Sequence, residues 1–99
     1  MKIIKRSGAE VVYDRNKIAS AIRKANEQVI ESKRLTNDQI ESIVDDIEIE
    51  CHNSGRALNV EDIQDLVENG IMQNKAFDVA KLYITYRYRH QLMRKENTT

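Results

Sequence analysis

Four stretches of this chain repeat apolar residues at intervals of three and four, and no proline interrupts any of them. That spacing lines one face of an α-helix, and a helix so patterned must bury the face against a neighbour. Ile18, Ile22, Ala25 and Val29 predict a first helix over about residues 15–32, with Asp14 as its N-cap. Thr36-Asn37-Asp38-Gln39 has the Thr-x-x-Gln form of a capping box. It opens a second helix that carries Ile40, Ile43, Val44 and Ile47 and ends near Asn53-Ser54-Gly55. Asn59 is placed to cap a third, with Ile63, Leu66, Val67 and Ile71 on its buried face. Gly70 is awkward there, because an interior helical glycine costs about 1 kcal/mol relative to alanine. A last helix over about residues 76–95 carries Val79, Ala80, Tyr83, Ile84 and Tyr86.

Ahead of the helices, Lys2-Ile3-Ile4-Lys5-Arg6 and Ala9-Glu10-Val11-Val12-Tyr13 are β-branched runs separated by Ser7-Gly8, which suits a hairpin turn. A lone hairpin is marginal in water and must pack on the helices. Ala57-Leu58-Asn59-Val60 is a short link or a third strand. The expected fold class is therefore mainly α (α+β): a four-helix bundle capped by a small N-terminal hairpin or sheet. Ninety-nine residues suit one domain with one modest core.

No apolar run reaches the roughly 18–20 residues that span a membrane, and the N-terminus lacks a signal-peptide apolar region. The single cysteine, Cys51, allows no disulfide framework and falls on the apolar stripe of the second helix. A cytoplasmic location is expected. Net charge is zero, but residues 27–69 hold twelve of the sixteen acidic residues and only three basic ones. The flanks, if they meet, form a basic pocket able to hold a phosphate chain or a nucleic-acid backbone; two solvated basic faces are the alternative.

No catalytic constellation emerges. His52 and His90 are the only histidines, and neither has a local cysteine or carboxylate pattern of metal-ligand type. Three glycines cannot build a Walker or Rossmann phosphate loop. No catalytic residue and no protein-held metal is expected. The sharper pattern is Lys5-Arg6-Ser7-Gly8 followed by Asp14-Arg15-Asn16-Lys17-Ile18. Cations beside a glycine turn neutralise phosphates while the backbone approaches, and Lys17 falls near a helix N-terminus, which favours an anion.

Those two segments resemble the Lys-Arg-Asp-Gly signature and the helix-opening segment of the ATP-cone, the nucleotide-binding regulatory domain of ribonucleotide reductases. Val60-Glu61-Asp62-Ile63-Gln64-Asp65-Leu66-Val67-Glu68 is similar to the family's third-helix motif. Val79-Ala80-Lys81-Leu82-Tyr83-Ile84-Thr85-Tyr86-Arg87 is similar to its closing segment, and looks nearest to the cone of the anaerobic (class III) ribonucleoside-triphosphate reductases. Together the four blocks span about residues 3–90.

The resemblance implies a purine nucleotide between hairpin and helices, with ATP or dATP as allosteric effectors and Mg2+ on their phosphates. Lys5, Arg6, Lys17 and Arg89 would grip the phosphates; Ile3, Ile18 and Ile63 would line the adenine pocket. Asp14 matches a polar position near the base, and Asp62 and Gln64 match positions that influence discrimination. Arg87 matches a recurring arginine, with an ion pair to the acidic body as an equal alternative. Ser7 replaces the family's usual Asp, and Gln64 stands where some members have histidine. The implied role is control of a reductase's overall activity, and so of deoxyribonucleotide supply for DNA replication, through oligomeric state. Partners would be the catalytic reductase domain and further copies of this domain, with neither membrane nor nucleic acid expected. Residues 1–95 would form the regulatory domain, and 96–99 a tail or the start of a linker to a catalytic domain that this length cannot hold. Two rivals stand beside this reading. One is the ATP-cone of a reductase-gene repressor without the zinc ribbon that normally precedes it; the other is a helical bundle that only mediates interactions.

Overall fold

A computed structural model of the chain describes residues 2–5 and 7–96, with side chains as far as Arg89. Arg6, the side chain of His90 and residues 97–99 lie outside the described residues.

The hairpin forms from β1 (Lys2–Ile4) and β2 (Glu10–Val12), paired antiparallel with Ile3 opposite Val11. Its turn is wider than a two-residue Ser7-Gly8 connection. Lys5 donates its N–H to the Ala9 carbonyl at 2.8 Å, and Gly8 donates to the Lys5 carbonyl at 2.9 Å. Gly8 takes φ +87°, so this is the hairpin in which a left-handed glycine closes a three-residue loop. β3 (Leu58–Asn59) pairs parallel to β1 on its other side, giving the strand order β2-β1-β3.

Four helices follow: α1 (Arg15–Glu27), α2 (Asn37–Asn53), α3 (Val60–Gln73) and α4 (Phe77–Glu96). The first three starts carry the caps that the sequence predicts. The Asp14 carboxylate accepts from Asn16 N–H at 3.0 Å. Thr36 and Gln39 form a reciprocal box, and so do Asn59 and Asp62. The first helix stops earlier than expected. Arg34 folds back and donates to the carbonyls of Val29 at 2.7 Å and Glu27 at 3.0 Å, while the Asn26 amide brackets the backbone of Leu35. Side chains thus take the carbonyls that another helical turn would use, and the chain continues as a short 3-10 turn, Glu31–Lys33. Val29 stays buried although it has left the helix.

α1 packs on α2 and α4, and α3 packs on the same two, closing a four-helix bundle around Ile22, Ile40, Val44, Val67, Ile71 and Val79. Gly70 now has a reason: a Cβ there would come within 2.8 Å of Ile43 Cγ2, so the missing side chain is what lets α2 and α3 approach. Lys75 turns the chain into α4 at φ +60°, in the left-handed position that follows a helix. Cys51 is buried in the core, where burial first and then Glu48 and Glu50 push its thiol pKa up.

Candidate functional site

A cleft of about 380 Å³ opens where the hairpin meets α1 and α3. The sheet contributes Ile3, Lys5, Val11 and Val12 to its walls. Asp14 and, from α1, Lys17, Ile18 and Ala21 form the second wall. From α3 come Val60, Ile63, Gln64 and Val67, and Tyr83 of α4 closes the floor. The volume falls in the range of small-molecule sites, and the composition is that of one: apolar walls with a few polar groups.

Those polar groups are placed unequally. Lys5 leaves the end of β1 and Lys17 sits in the first turn of α1, both solvent-exposed. Neither has an ion-pair partner among the described residues. Most other basic side chains nearby are spent. Arg15 spans to α2, meeting Glu41 at 2.7 Å, Asp45 at 3.0 Å and Glu48 at 3.1 Å, and Arg23 reaches Glu41 at 3.1 Å. Because Asp14 caps α1 with its own carboxylate, the attraction for an anion at this end rests on Lys17 rather than on open backbone N–H groups.

Of the residues expected from sequence, Ile3, Lys5, Asp14, Lys17, Ile18, Ile63 and Gln64 line this one cleft. Asp62 does not. Its carboxylate accepts from Asn59 N–H at 3.2 Å and lies 3.7 Å from Arg56, as the cap of α3. Arg87 takes the ion-pair alternative: one guanidinium nitrogen donates to Asp65 at 2.8 Å and to Glu68 at 2.7 Å, clamping α4 to α3. Burial opposes its charge, but the hydrogen bonds to Asp65 and Glu68 outweigh that and raise its pKa. Arg89 lines an adjoining cleft of about 470 Å³ between α1 and α4, with Lys24, Gln28 and Tyr86. Ala21 is shared by the two clefts, and Arg6 lies outside the described residues.

The sequence reading missed Val11, Val12, Ala21, Val60, Val67 and Tyr83 as cleft residues. A signal existed for some: Ala21 follows Lys17 and Ile18 by one turn, and Val60 and Val67 flank Ile63 and Gln64 at helical spacing.

Tyr13, at the end of β2, has a buried hydroxyl with no partner of hydrogen-bond geometry. Burial, then the neighbouring Glu48 carboxylate, raises its pKa. Tyr83 is buried too, and its pKa is pushed up from 10.0 to about 12, by burial above all. A phenol whose folded pKa exceeds its unfolded one contributes stability that is intact below the unfolded value and lost as pH rises through the folded one. Stability should thus fall between pH 10 and about 12. Urea unfolding across that window should show a shallower fall for Tyr83→Phe; identical slopes would mean that Tyr83 does not titrate there.

The arrangement suits a flat, apolar-faced group carrying an anionic tail: Ile and Val side chains for the faces, two unpaired lysines for the charge. Residues 1–92 match the family model described as the ATP cone domain. The chain is 35% identical over 96% of its length to a vitamin B12-dependent ribonucleoside-diphosphate reductase of Thermoplasma acidophilum. It is 31% identical over 97% of its length to an anaerobic ribonucleoside-triphosphate reductase of Haemophilus influenzae. It spans 12% and 13% of those two proteins. A shorter match, 40% identical over 58% of the chain and 35% of the relative, reaches the transcriptional repressor NrdR of Petrotoga mobilis. ATP-cone domains in general bind nucleotide effectors, and the cleft has the walls and charges for one. With the hairpin-to-helix cleft, the four helices and a family match over nearly its whole length, the chain belongs to the ATP-cone family.

Proposed function

We propose that this domain binds ATP and dATP in the cleft between hairpin and helices and uses the difference to set the overall activity of a ribonucleotide reductase. The observation that carries the reading is a pair of lysines, Lys5 and Lys17, without ion-pair partners among the described residues, at an apolar cleft of nucleotide size. The triphosphate lies along the lysines and the base against Ile3, Ile18 and Ile63. Mg2+ would be held by the phosphates and water rather than by the protein, since Asp14 is the one carboxylate in the lining and already caps α1. The parent is read as an anaerobic, triphosphate-acting reductase from the closing segment of the sequence, with residues 96–99 leading towards its catalytic domain. The control runs through the association state of copies of the domain.

An effector shifts an equilibrium only by its difference in affinity between two states. ATP and dATP differ by one hydroxyl, and one hydrogen bond is worth about 0.5–1.5 kcal/mol. That is up to about tenfold per site, and several sites acting together in an oligomer sharpen it. Isothermal titration of the chain with ATP and dATP is expected to show binding in the micromolar range for both; no heat from either would sink the proposal. The match to the repressor favours a second reading, control of reductase genes, in which ATP binds the same cleft. A gel shift on reductase promoter DNA separates the two, since only the repressor reading predicts retardation.

A further inference from the structure

We propose that Arg15 is a positioning residue for the nucleotide cleft, fixing the first turn of α1 against α2 while touching no ligand itself. The proposal rests on the nucleotide reading above and names what holds that wall in place.

Asp14 joins the hairpin to α1 and lines the cleft. The residues on either side of it do not line the cleft, and both meet α2 instead. Tyr13, before it, sets its hydroxyl in a buried position beside Glu48. Arg15, after it, spreads its guanidinium over three carboxylates. Nη2 lies 2.7 Å from Glu41 and 3.0 Å from Asp45, and Nη1 lies 3.1 Å from Glu48. Those acids follow one another at intervals of four and three residues, which puts them in one row along α2. The start of α1 is therefore tied to its neighbour by a fork with three points of attachment.

Folding stability accounts for little of this arrangement. The four side chains are between 28% and 58% exposed, and ion pairs that open to water contribute little to folding. What a planar guanidinium held through two nitrogens does fix is direction, so it resists rotation and sliding of α1 on α2. The cleft is sensitive to that movement. Asp14, Lys17 and Ile18 line it from the same turn, and the Lys17 N–H donates to the Asp14 carbonyl at 3.2 Å. A shift at Arg15 thus carries Lys17 with it. A wall already in place spares the ligand the cost of ordering it, and the saving appears as affinity.

Charge and position predict opposite signs here. Three carboxylates face two guanidiniums, those of Arg15 and Arg23, so this face is net negative and by charge alone repels a triphosphate. Glu41→Ala, Asp45→Ala and Glu48→Ala combined remove all three acceptors and their charge. By charge alone, that variant should bind ATP more tightly. Positioning by Arg15 predicts weaker binding, by about fivefold in a titration of the 99-residue chain with ATP. Arg15→Met, which keeps the aliphatic stem, should show a similar loss, with melting lowered by no more than about 5 °C. In the ligand-free Arg15→Met protein, exchange of the Lys17 amide hydrogen should speed up by about the same factor. A network that only stabilised the fold would lower melting in both variants and leave the ATP affinity of the folded protein unchanged. Unchanged or tighter ATP binding in either variant overturns the inference and leaves nucleotide binding standing, as does unchanged Lys17 exchange. Absence of ATP binding by the parent chain fells both proposals together.

Discussion

Ile22→Ala should lower the unfolding free energy by about 2–5 kcal/mol, the range found when a fully buried isoleucine is cut back to alanine. Ile22 has 0% exposure and sits midway along α1, which packs on both α2 and α4. The lost methyl and methylene groups forfeit their transfer energy, and the space they leave is bounded by three helices that cannot all close on it. A domain of this size is stable by about 5–15 kcal/mol, so the loss takes a large share of the whole. The melting temperature should drop by about 10 °C or more. Urea titration should show a lower midpoint with an unchanged slope, which marks a loss of stability rather than a change in the unfolded chain. Ile49, 56% exposed on the outer side of α2, is the control: its alanine variant should stay within about 0.5 kcal/mol. A loss under about 1 kcal/mol for Ile22→Ala would mean that the bundle repacks freely there and that α1 is not the shared wall of the core.

Why the fold was largely legible follows from where its information lies. Helix starts are written in one or two side chains, and Asp14, Thr36 and Asn59 each accept the backbone N–H that their position calls for. The end of α1 is different. It is set by Arg34, seven residues beyond Glu27, folding back onto carbonyls, and no local pattern announces that return. Gly70 is unfavourable by propensity alone and becomes intelligible only once Ile43 of another helix stands against it. The same divide runs through the site. Lys5, Asp14, Lys17 and Ile18 are near neighbours in sequence and reach the cleft together. Arg87 and Arg89 sit two residues apart on one helix, about 200° around its axis, so one faces the acids of α3 and the other the α1 cleft. Charge counting places both arginines in the same basic flank and cannot separate them; the helical phase does.

That division makes the two lysines the decisive test of where the phosphates lie. Lys5→Glu combined with Lys17→Glu should reduce ATP affinity by about 100-fold, since each reversal removes a charge-assisted contact and adds a repulsion. Both side chains are exposed and without ion-pair partners among the described residues, so the fold should be spared and melting should move by no more than about 2 °C. Ionic strength supplies an independent signature. The parent's ATP affinity should fall as salt shortens the screening length, whereas the doubly reversed variant has lost the attraction that salt would screen. If the double reversal leaves ATP affinity and its salt dependence unchanged, the triphosphate does not lie against the hairpin. The adjoining cleft would then be its seat, through Lys24 and Arg89, and Lys24→Glu with Arg89→Glu should show the loss instead. The clefts share only Ala21, so the two pairs of substitutions act on separate walls and their effects can be read independently.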